Sequence, residues 1–227
     1  MKTARRIRVR GVVQGVGFRP FIFRLAKRWD LGGWVLNDQH GVEMHVEGEP
    51  AAVQTFLQEM TAHSPASAQV TAVEIEDTTV EGWSGFKILQ STRDDRPTVY
   101  MAADLAVCSA CLSELFDPAD RRYLYPYINC TECGPRYTVI ENLPYDRPHT
   151  TMKAWPMCPD CAKEYDEPTD RRFHAQPNAC PACGPKYALH WQGETIRDHV
   201  QAIEKTAQLL REGYIVAIKG LGGYHLA

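Results

Sequence analysis

Eight cysteines in four C-x-x-C pairs occupy the middle of this 227-residue chain and constrain its fold more than any other feature. Eighteen residues separate the two pairs of each half, and the second half repeats the first at an offset of fifty residues. The cysteines are Cys108, Cys111, Cys130 and Cys133, followed by Cys158, Cys161, Cys180 and Cys183. Their neighbours return at the same offset, so the chain contains an internal duplication with modules at 108–133 and 158–183.

The spacing within each module is typical of a zinc site. A C-x-x-C knuckle points two sulfurs at one ion, and two knuckles complete a tetrahedron of ligands. We therefore predict two Zn²⁺ ions, and because four thiolates close each coordination shell, we predict that both are structural. Tetrahedral sulfur ligands also suit a rubredoxin-like iron. Pairing of the cysteines within each half is the simpler arrangement, and an interleaved pairing between the halves stays open.

Other uses of the cysteines fit the sequence less well. A disulfide framework is typical of secreted chains, and the opening MKTARRIRVRG lacks the apolar stretch of a secretory signal. A thioredoxin-type redox centre uses one C-x-x-C at a helix start rather than four in tandem. The residues around the cysteines are poor in aliphatic side chains, so we expect this region to need metal to fold. Since eight sulfurs satisfy two ions, we expect His149 and His174 to be surface or hydrogen-bonding residues.

The first ninety residues predict an α+β domain. Residues 6–10 alternate between arginine and an apolar residue, which indicates a half-buried strand. A helix follows, for which Pro20 is a suitable first residue, and Gly32-Gly33 end it. Strands at 33–38 and 41–48, a helix opened by Pro50, and strands at 70–76 and 86–89 complete the pattern. The order β-α-β-β-α-β is that of the ferredoxin-like fold.

The loop between the first strand and the first helix has the features of an anion site. Free backbone N–H groups and the helix dipole favour an anion at a helix N-terminus. Two glycines let successive N–H groups converge on one phosphate, and Arg19 adds a charged bidentate donor. Asn37, at the end of the next strand, carries a neutral amide that can orient a water. The predicted phosphate-binding residues are Gln14, Gly15, Val16, Gly17, Phe18 and Arg19. A plain tight turn is the alternative reading of such a loop.

The stretch VVQGVGFRP, together with the asparagine on the second strand, resembles the acylphosphatase family. The resemblance implies that the loop cradles a phosphate, that Arg19 binds it and that Asn37 positions the attacking water. The implied catalytic residues are thus Arg19 and Asn37. The implied mechanism is positioning and electrostatic stabilisation of an acyl phosphate, with no covalent nucleophile.

The last thirty-five residues predict half of an α/β unit. Residues 195–212 have the periodicity of an amphipathic helix, with Thr195 and Asp198 arranged as a capping box and Gly213 ending it. A short buried strand at 214–218 and a glycine-rich turn follow. Such a strand cannot bury both of its faces alone, so we expect the natural chain to continue beyond Ala227.

The order of these modules resembles the HypF carbamoyltransferase family of [NiFe]-hydrogenase maturation. The matching stretches are FRPF, YPYINCTECGPRYT, PYDRPHT, DRRFHAQPNACPACGP and IVAIKGLGGYHLA. The implied domains are an acylphosphatase-like domain at 1–91, a duplicated Cys₄ zinc-finger region at 92–192, and the beginning of a YrdC-like nucleotide-binding domain at 193–227. Lys219 is then either an adenylate-site residue or a strand-end charge, and His225 has no assigned role.

The resemblance also implies substrates and partners. The family hydrolyses carbamoyl phosphate, forms carbamoyl adenylate with ATP, and passes the carbamoyl group to a cysteine of the partner HypE for the cyanide ligands of the hydrogenase. ATP with Mg²⁺ is expected only for the full-length protein. The alternative is a zinc-stabilised protein-interaction module carrying a catalytically silent acylphosphatase-like domain.

Charge and hydropathy bear on other function classes. The net charge is −3, and residues 92–192 contain eleven basic and fourteen acidic groups. Because nucleic-acid binding usually requires a basic excess, we expect no nucleic-acid partner. No run of eighteen apolar residues is present, so we expect no membrane association and a cytoplasmic protein.

Overall fold

The structure is a computed structural model that describes residues 2–91, 100–220 and 223–227. Its first region, residues 2–91, is a five-stranded sheet with two helices, and this confirms the predicted ferredoxin-like fold. The strands are β1 (Thr3–Val12), β2 (Gly32–Asn37), β3 (Val42–Gly48), β4 (Gln69–Thr78) and β5 (Phe86–Ile88), and the helices are α1 (Phe18–Arg28) and α2 (Pro50–Ala62).

The strand order in the sheet is β4-β1-β3-β2-β5. The first four strands pair antiparallel, and β5 adds a parallel edge beside β2. Apolar residues on one face of the sheet, such as Ile7 and Met44, are fully buried against α1 and α2. On the other face the Nε atoms of Arg6 and Arg8 lie 3.0 and 3.1 Å from Oε1 of Glu43. Successive residues of β1 thus face the apolar core and the charged surface in turn.

Helix α1 begins at Phe18 rather than at Pro20, so the prediction for its first residue is wrong by two positions. Gly17, in the left-handed region at φ 77°, is the residue immediately before the helix. The helix therefore begins two residues nearer to the glycines of the loop than the proline suggested. This shift brings Arg19 into the first turn of α1, directly beside the loop that precedes it.

The zinc-finger region contains little regular structure beyond two short helices, α3 (Ser109–Phe116) and α4 (Pro159–Asp166). Each helix begins directly after the first cysteine of its module. Single turns of 3-10 helix occur at Tyr137–Val139, Arg147–His149 and Thr151–Ala154. The duplication extends to the backbone: Leu124 and His174, fifty residues apart, both have positive φ, and their amides donate to the carbonyls of Leu115 and Tyr165.

The C-terminal residues depart from the prediction. Helix α5 (His199–Arg211) begins four residues later than expected, because the side chain of Asp198 accepts a hydrogen bond from the amide of Gln201 and caps it there. Thr195 lies instead in a hairpin of β6 (Leu189–Trp191) and β7 (Glu194–Ile196) that the sequence analysis missed. Gly213, at φ 87°, follows the helix end as predicted.

The predicted buried strand at 214–218 is also wrong in its bounds and its burial. The strand is β8 (Ala217–Lys219), it pairs with β9 (Tyr224–Leu226), and Ile215 is 80% exposed. Residues 221 and 222 of the predicted glycine-rich turn lie outside the described residues. Among the described helices, none combines the length and the apolar character that a bilayer crossing requires.

Candidate acyl phosphate site and metal centres

The loop between β1 and α1 presents unpaired backbone amides. The N–H groups of residues 15–19 donate to no other described residue, as expected at the first turn of a helix. Gly15 and Gly17 have φ values of 73° and 77°, which bend the chain so that the loop lines one small cavity. A Cβ atom at Gly15 would lie 2.7 Å from the side chain of Pro135, so a larger residue does not fit there.

Arg19 is buried at the end of this loop, with 7% of its surface exposed. One guanidinium nitrogen donates to the carboxylate of Asp146 at 2.7 Å and to the carbonyl of Tyr145 at 3.2 Å. The other lies 3.4 Å from the hydroxyl of Ser91. The cation is thus held by residues from both the N-terminal region and the zinc-finger region, and a bound phosphate must share it with Asp146.

Asn37, the last residue of β2, is 1% exposed. Its amide nitrogen donates to the carbonyl of Tyr145 at 3.5 Å, while its Oδ1 has no hydrogen-bond partner among the described residues. A buried acceptor without a partner is costly. Its position beside the cavity suits a water or a donor group of a ligand.

The loop, Arg19 and Asn37 surround a cavity of about 20 Å³. Its opposite wall comes from the zinc-finger region and includes Asn129, Tyr145 and His174. A second, more open cavity of about 430 Å³ adjoins it, with Arg19, His174 and Gln176 lining both. The loop of residues 13–17, the predicted phosphate loop, therefore faces the zinc-finger region instead of open solvent, and the larger cavity reaches Arg19 from outside.

The structure brings together four of the six predicted phosphate-binding positions and both predicted catalytic residues. The cavity is lined by Gly15, Gly17, Phe18, Arg19 and Asn37. Gln14 and Val16 do not line it. The amide nitrogen of Gln14 donates to the carbonyls of Asp38 and Gly41 at 2.6 and 2.8 Å, and its oxygen accepts from the amide of Tyr145 at 2.9 Å. Gln14 thus joins the loop to the zinc-finger region, and Val16 belongs to the apolar core.

The sequence analysis missed several residues of this site, among them Asn129, Tyr145, Asp146 and His174. We expected His174 to be a surface or hydrogen-bonding residue, and it lines both cavities instead. Burial, together with the charge of Arg19, lowers the pKa of His174 to about 4, so its imidazole is neutral at pH 7. His149, the other expected hydrogen-bonding histidine, places Nδ1 2.7 Å from the carbonyl of Pro144.

A signal for Asn129 was present in the repeat. Fifty residues on, the second module carries Ala179 in its place, and Thr131 similarly becomes Pro181. Such departures from the repeat mark the positions where the two modules have different neighbours. No comparable signal exists for Asp146, which lies between the modules.

The eight cysteines form two clusters, each from one module. The clusters are Cys108, Cys111, Cys130 and Cys133, and Cys158, Cys161, Cys180 and Cys183. The sulfurs within each cluster lie within 4.8 Å of one another. Pairs such as Cys108–Cys130 and Cys158–Cys180 are 3.6 and 3.7 Å apart, close to the roughly 3.8 Å edge of a tetrahedron with 2.3 Å zinc–sulfur bonds. Pairing within each half is thus observed, and the donor set suits a structural zinc in each.

Each module also donates arginines to the other. Arg121 approaches the sulfur of Cys161 at 3.3 Å, and Arg171 approaches that of Cys111 at 3.1 Å. Arg122 and Arg172, at equivalent positions, bind Glu164 and Glu114 of the opposite module. A guanidinium beside a thiolate offsets part of the negative charge of a four-sulfur site.

These arginines also contact backbone. The Nε atoms of Arg122 and Arg172 donate to the carbonyls of Ala179 and Asn129 at 3.0 and 3.1 Å. Burial alone would raise the pKa of Glu164, but the hydrogen bonds from Arg122 and Arg121 lower it to about 2. The exchange is reciprocal, so the two modules are bound to each other through charged groups beside both cysteine clusters.

Two family models match separate parts of the chain. The Acylphosphatase family model matches residues 5–88, and the HypF finger model matches residues 107–140 and 157–190. The Acylphosphatase of Thermotoga petrophila is 48% identical over 86 residues, which are 37% of this chain and 94% of that protein.

Two longer proteins resemble the whole chain. The Carbamoyltransferase HypF2 of Cupriavidus necator is 54% identical over 225 residues, which are 98% of this chain and 28% of that protein. A crystal structure described as full-length HypF in the phosphate- and nucleotide-bound form is 44% identical, with a TM-score of 0.90 over 100% of this chain and 29% of that one. The chain thus spans less than a third of the length of these relatives.

Proposed function

The chain belongs to the HypF family of carbamoyltransferases, with an acylphosphatase domain at its N-terminus, and we propose that this domain hydrolyses carbamoyl phosphate to carbamate and phosphate. The observation that supports this most strongly is the cavity lined by Asn37 and by Gly15, Gly17, Phe18 and Arg19. Among the described residues, the backbone amides of these four loop and helix residues and Oδ1 of Asn37 have no hydrogen-bond partner. A relative of known structure, described as phosphate-bound, shares the fold of this chain throughout.

The proposed chemistry uses position and charge. The amides of residues 15–19 and the guanidinium of Arg19 bind the phosphoryl oxygens, and Oδ1 of Asn37 accepts a hydrogen bond from the attacking water. The water oxygen bonds to phosphorus as the bond to the carbamoyl oxygen breaks, and carbamate leaves with the electron pair. The water's proton passes to a phosphate oxygen. Since a carboxylate-type oxygen is a good leaving group, no protein acid is needed at that atom.

We further propose the place of this step in the whole protein. Domains to which the longer relatives extend would take carbamate and ATP with Mg²⁺ to carbamoyl adenylate, and the carbamoyl group would pass to a cysteine of a HypE-type partner. Residues 193–227 would begin a YrdC-like nucleotide-binding domain. In this proposal the two Zn²⁺ ions only hold the zinc-finger region in its folded form, and the protein acts in the cytoplasm.

The test is phosphate release from carbamoyl phosphate by the 227-residue chain. Arg19→Ala should lower kcat/KM by at least about a hundredfold, because loss of one preorganised donor in such a site typically costs that much. Asn37→Ala should lower kcat with a smaller change in KM. Arg28→Ala is a matched control, since Arg28 is exposed on the same helix and pairs with Glu59. Hydrolysis that is equal in the wild type and Arg19→Ala would exclude the proposal.

A second candidate is a protein-interaction module with a silent acylphosphatase-like domain. The ion pair between Arg19 and Asp146 favours it, because this pair occupies the cation that a phosphate requires. Asp146→Ala distinguishes the two. If that pair blocks the site, the variant gains phosphate affinity and hydrolysis over an inactive wild type. In the enzymatic proposal the wild type is already active.

A further inference from the structure

Asn129 lies in the wall of the cavity that the zinc-finger region supplies, immediately before Cys130. It is 3% exposed and lines the same cavity as Arg19 and Asn37. Its Nδ2 faces the carbonyl of Gly134 at 3.4 Å, which fixes the orientation of the amide, since the reverse would place two oxygens together. Its Oδ1 has no hydrogen-bond partner among the described residues. A buried, fixed acceptor therefore adjoins the phosphate loop without a donor of its own.

The duplication shows that the zinc module does not need this side chain. Ala179 occupies the equivalent position in the second module and is equally buried. The carbonyls of both residues accept a hydrogen bond from the equivalent arginine of the opposite module, at 3.1 and 3.0 Å. The backbone of both modules thus makes the same hydrogen bond at this position. Only the module whose knuckle faces the phosphate loop carries a side-chain amide there.

The chemistry of the cavity separates into two kinds of group. The N–H groups of the loop and the guanidinium of Arg19 are donors and suit a phosphate. Three side-chain oxygens of the cavity lining have no hydrogen-bond partner among the described residues: Oδ1 of Asn37, Oδ1 of Asn129 and the hydroxyl of Tyr145. The two amide oxygens only accept and suit a group with N–H or O–H bonds, whereas the hydroxyl can donate or accept. Under the proposed function Asn37 takes the attacking water. The acceptor on Asn129 is then available to the acyl part of the substrate.

We propose that Asn129 accepts a hydrogen bond from the amino group of carbamoyl phosphate and so selects this substrate over acyl phosphates that lack an N–H group. This inference rests on the proposed hydrolysis and assigns the selecting residue to the zinc-finger region. It makes the acyl phosphate site a shared one, with phosphate bound by the N-terminal region and the amino group recognised by the first zinc module.

The test compares kcat/KM for carbamoyl phosphate and for acetyl phosphate, whose methyl group has no N–H bond to donate. Asn129→Ala, which places the second module's own residue at this position, should lower the ratio of carbamoyl to acetyl phosphate hydrolysis about tenfold, the typical worth of one hydrogen bond in a buried site. Asn142→Ala, at an exposed asparagine of the same region, should leave the ratio unchanged. Zinc content should stay at two ions per chain in both variants.

Each outcome is decisive. A wild type that hydrolyses both substrates, with a ratio unaltered by Asn129→Ala, overturns the inference and leaves the proposed function standing. Equal losses on both substrates, or lost zinc, show a structural role and also overturn it. A wild type that hydrolyses neither substrate overturns the proposed function and this inference with it. A second variant, Asn129→Asp, keeps an acceptor oxygen and should retain more of the ratio than Asn129→Ala.

Discussion

The N-terminal region and the zinc-finger region are stabilised by different forces, although they share one site. In the first, apolar side chains from the sheet and both helices form one buried core around residues such as Ile7, Phe56 and Met44. In the second, three of the seven residues in the buried cluster are cysteines, and the charged side chains of Arg122 and Arg172 are buried beside it. One region can therefore fold by burial of apolar surface alone, whereas we expect the other to depend on metal and on paired charges.

The contrast matters for function because the cavity lies where the two regions meet. The phosphate loop belongs to the region that needs no metal, and the opposite wall belongs to the region that does. Gln14 and Arg19 bind the segment around Tyr145 across this boundary. We therefore expect the opposite wall of the cavity to be well ordered only when the zinc sites are intact, whereas the geometry of the loop should not depend on zinc.

Removal of zinc should have the largest effect on stability, and it should unfold the zinc-finger region without unfolding the N-terminal region. Structural zinc typically supplies about 10–16 kcal/mol of apparent folding free energy in small domains. With a chelator and a thiol-reactive agent present, amides at 108–183 should lose hydrogen-exchange protection while those of β1 and β3 keep it. Protection retained in both regions, with zinc shown to be absent, would contradict the account of the second region.

Arg122→Ala should destabilise the zinc-finger region by about 3–5 kcal/mol, because the buried carbonyl of Ala179 and Oδ1 of Asn178 lose a donor and Glu164 keeps Arg121 but loses its buried partner. The loss should appear at the opposite module, as faster alkylation of Cys161 and its neighbours, mapped by peptide mass spectrometry. Lys153→Ala is the matched control. Its pair with Glu141 is exposed, and the change should cost under about 1 kcal/mol.

Equal alkylation of both cysteine clusters in Arg122→Ala would show that the arginine acts on the region as a whole rather than across the module boundary. Arg172→Ala supplies the mirror experiment. It should expose the first cluster, Cys108 to Cys133, before the second, since Arg172 binds Glu114.

Gly15→Ala should weaken the junction between the regions by about 2–4 kcal/mol. The new Cβ meets Pro135 at 2.7 Å, and the positive φ is unfavourable for alanine. The midpoint temperature of thermal unfolding and the affinity for phosphate should both fall. Gly82→Ala is the control, because that glycine also has a positive φ but a Cβ added there would meet no atom within 4 Å. A similar loss in both variants would show that backbone strain alone, without the contact to Pro135, accounts for the effect.

Low pH should destabilise the boundary between the N-terminal region and the zinc-finger region, because His174 becomes protonated. Its folded-state pKa of about 4 lies below the ordinary value of 6.5, so the unfolded chain binds the proton first. Stability from this residue is complete above pH 6.5 and declines as the pH falls towards 4, by about 2 kcal/mol at pH 5. The difference in unfolding free energy between the wild type and His174→Gln should shrink by that amount from pH 7 to 5. A constant difference would contradict the depressed pKa.

Much of this arrangement was predictable because its signals are local. The spacing of the cysteines, the alternation in β1 and the glycines before α1 each reflect short-range geometry, and all three lead to observed structure. Local signals also failed in places. Both Thr195 and Asp198 suit a helix N-terminus, and the sequence alone did not distinguish them, whereas the hairpin of β6 and β7 holds Thr195 extended.

The opposite wall of the cavity could not be predicted, because it depends on how the zinc-finger region packs against the N-terminal region. Asp146 and His174 lie 127 and 155 positions after Arg19 in the sequence, and no periodicity relates them. The repeat gave a usable hint at Asn129 and His174, because the other module carries Ala179 and Leu124 at these positions. Asymmetry within a duplication is thus informative about which face of a module meets a neighbour.

In the proposed function, the backbone amides of the loop and the guanidinium of Arg19 together bind a phosphoryl group. The most direct measurement is a titration of the isotope-labelled chain with inorganic phosphate, followed by amide resonances. The account predicts saturable shifts for the amides of residues 15–19 in the wild type and much weaker binding in Arg19→Ala. Loop resonances that do not move with phosphate, or that move equally in both proteins, would contradict it.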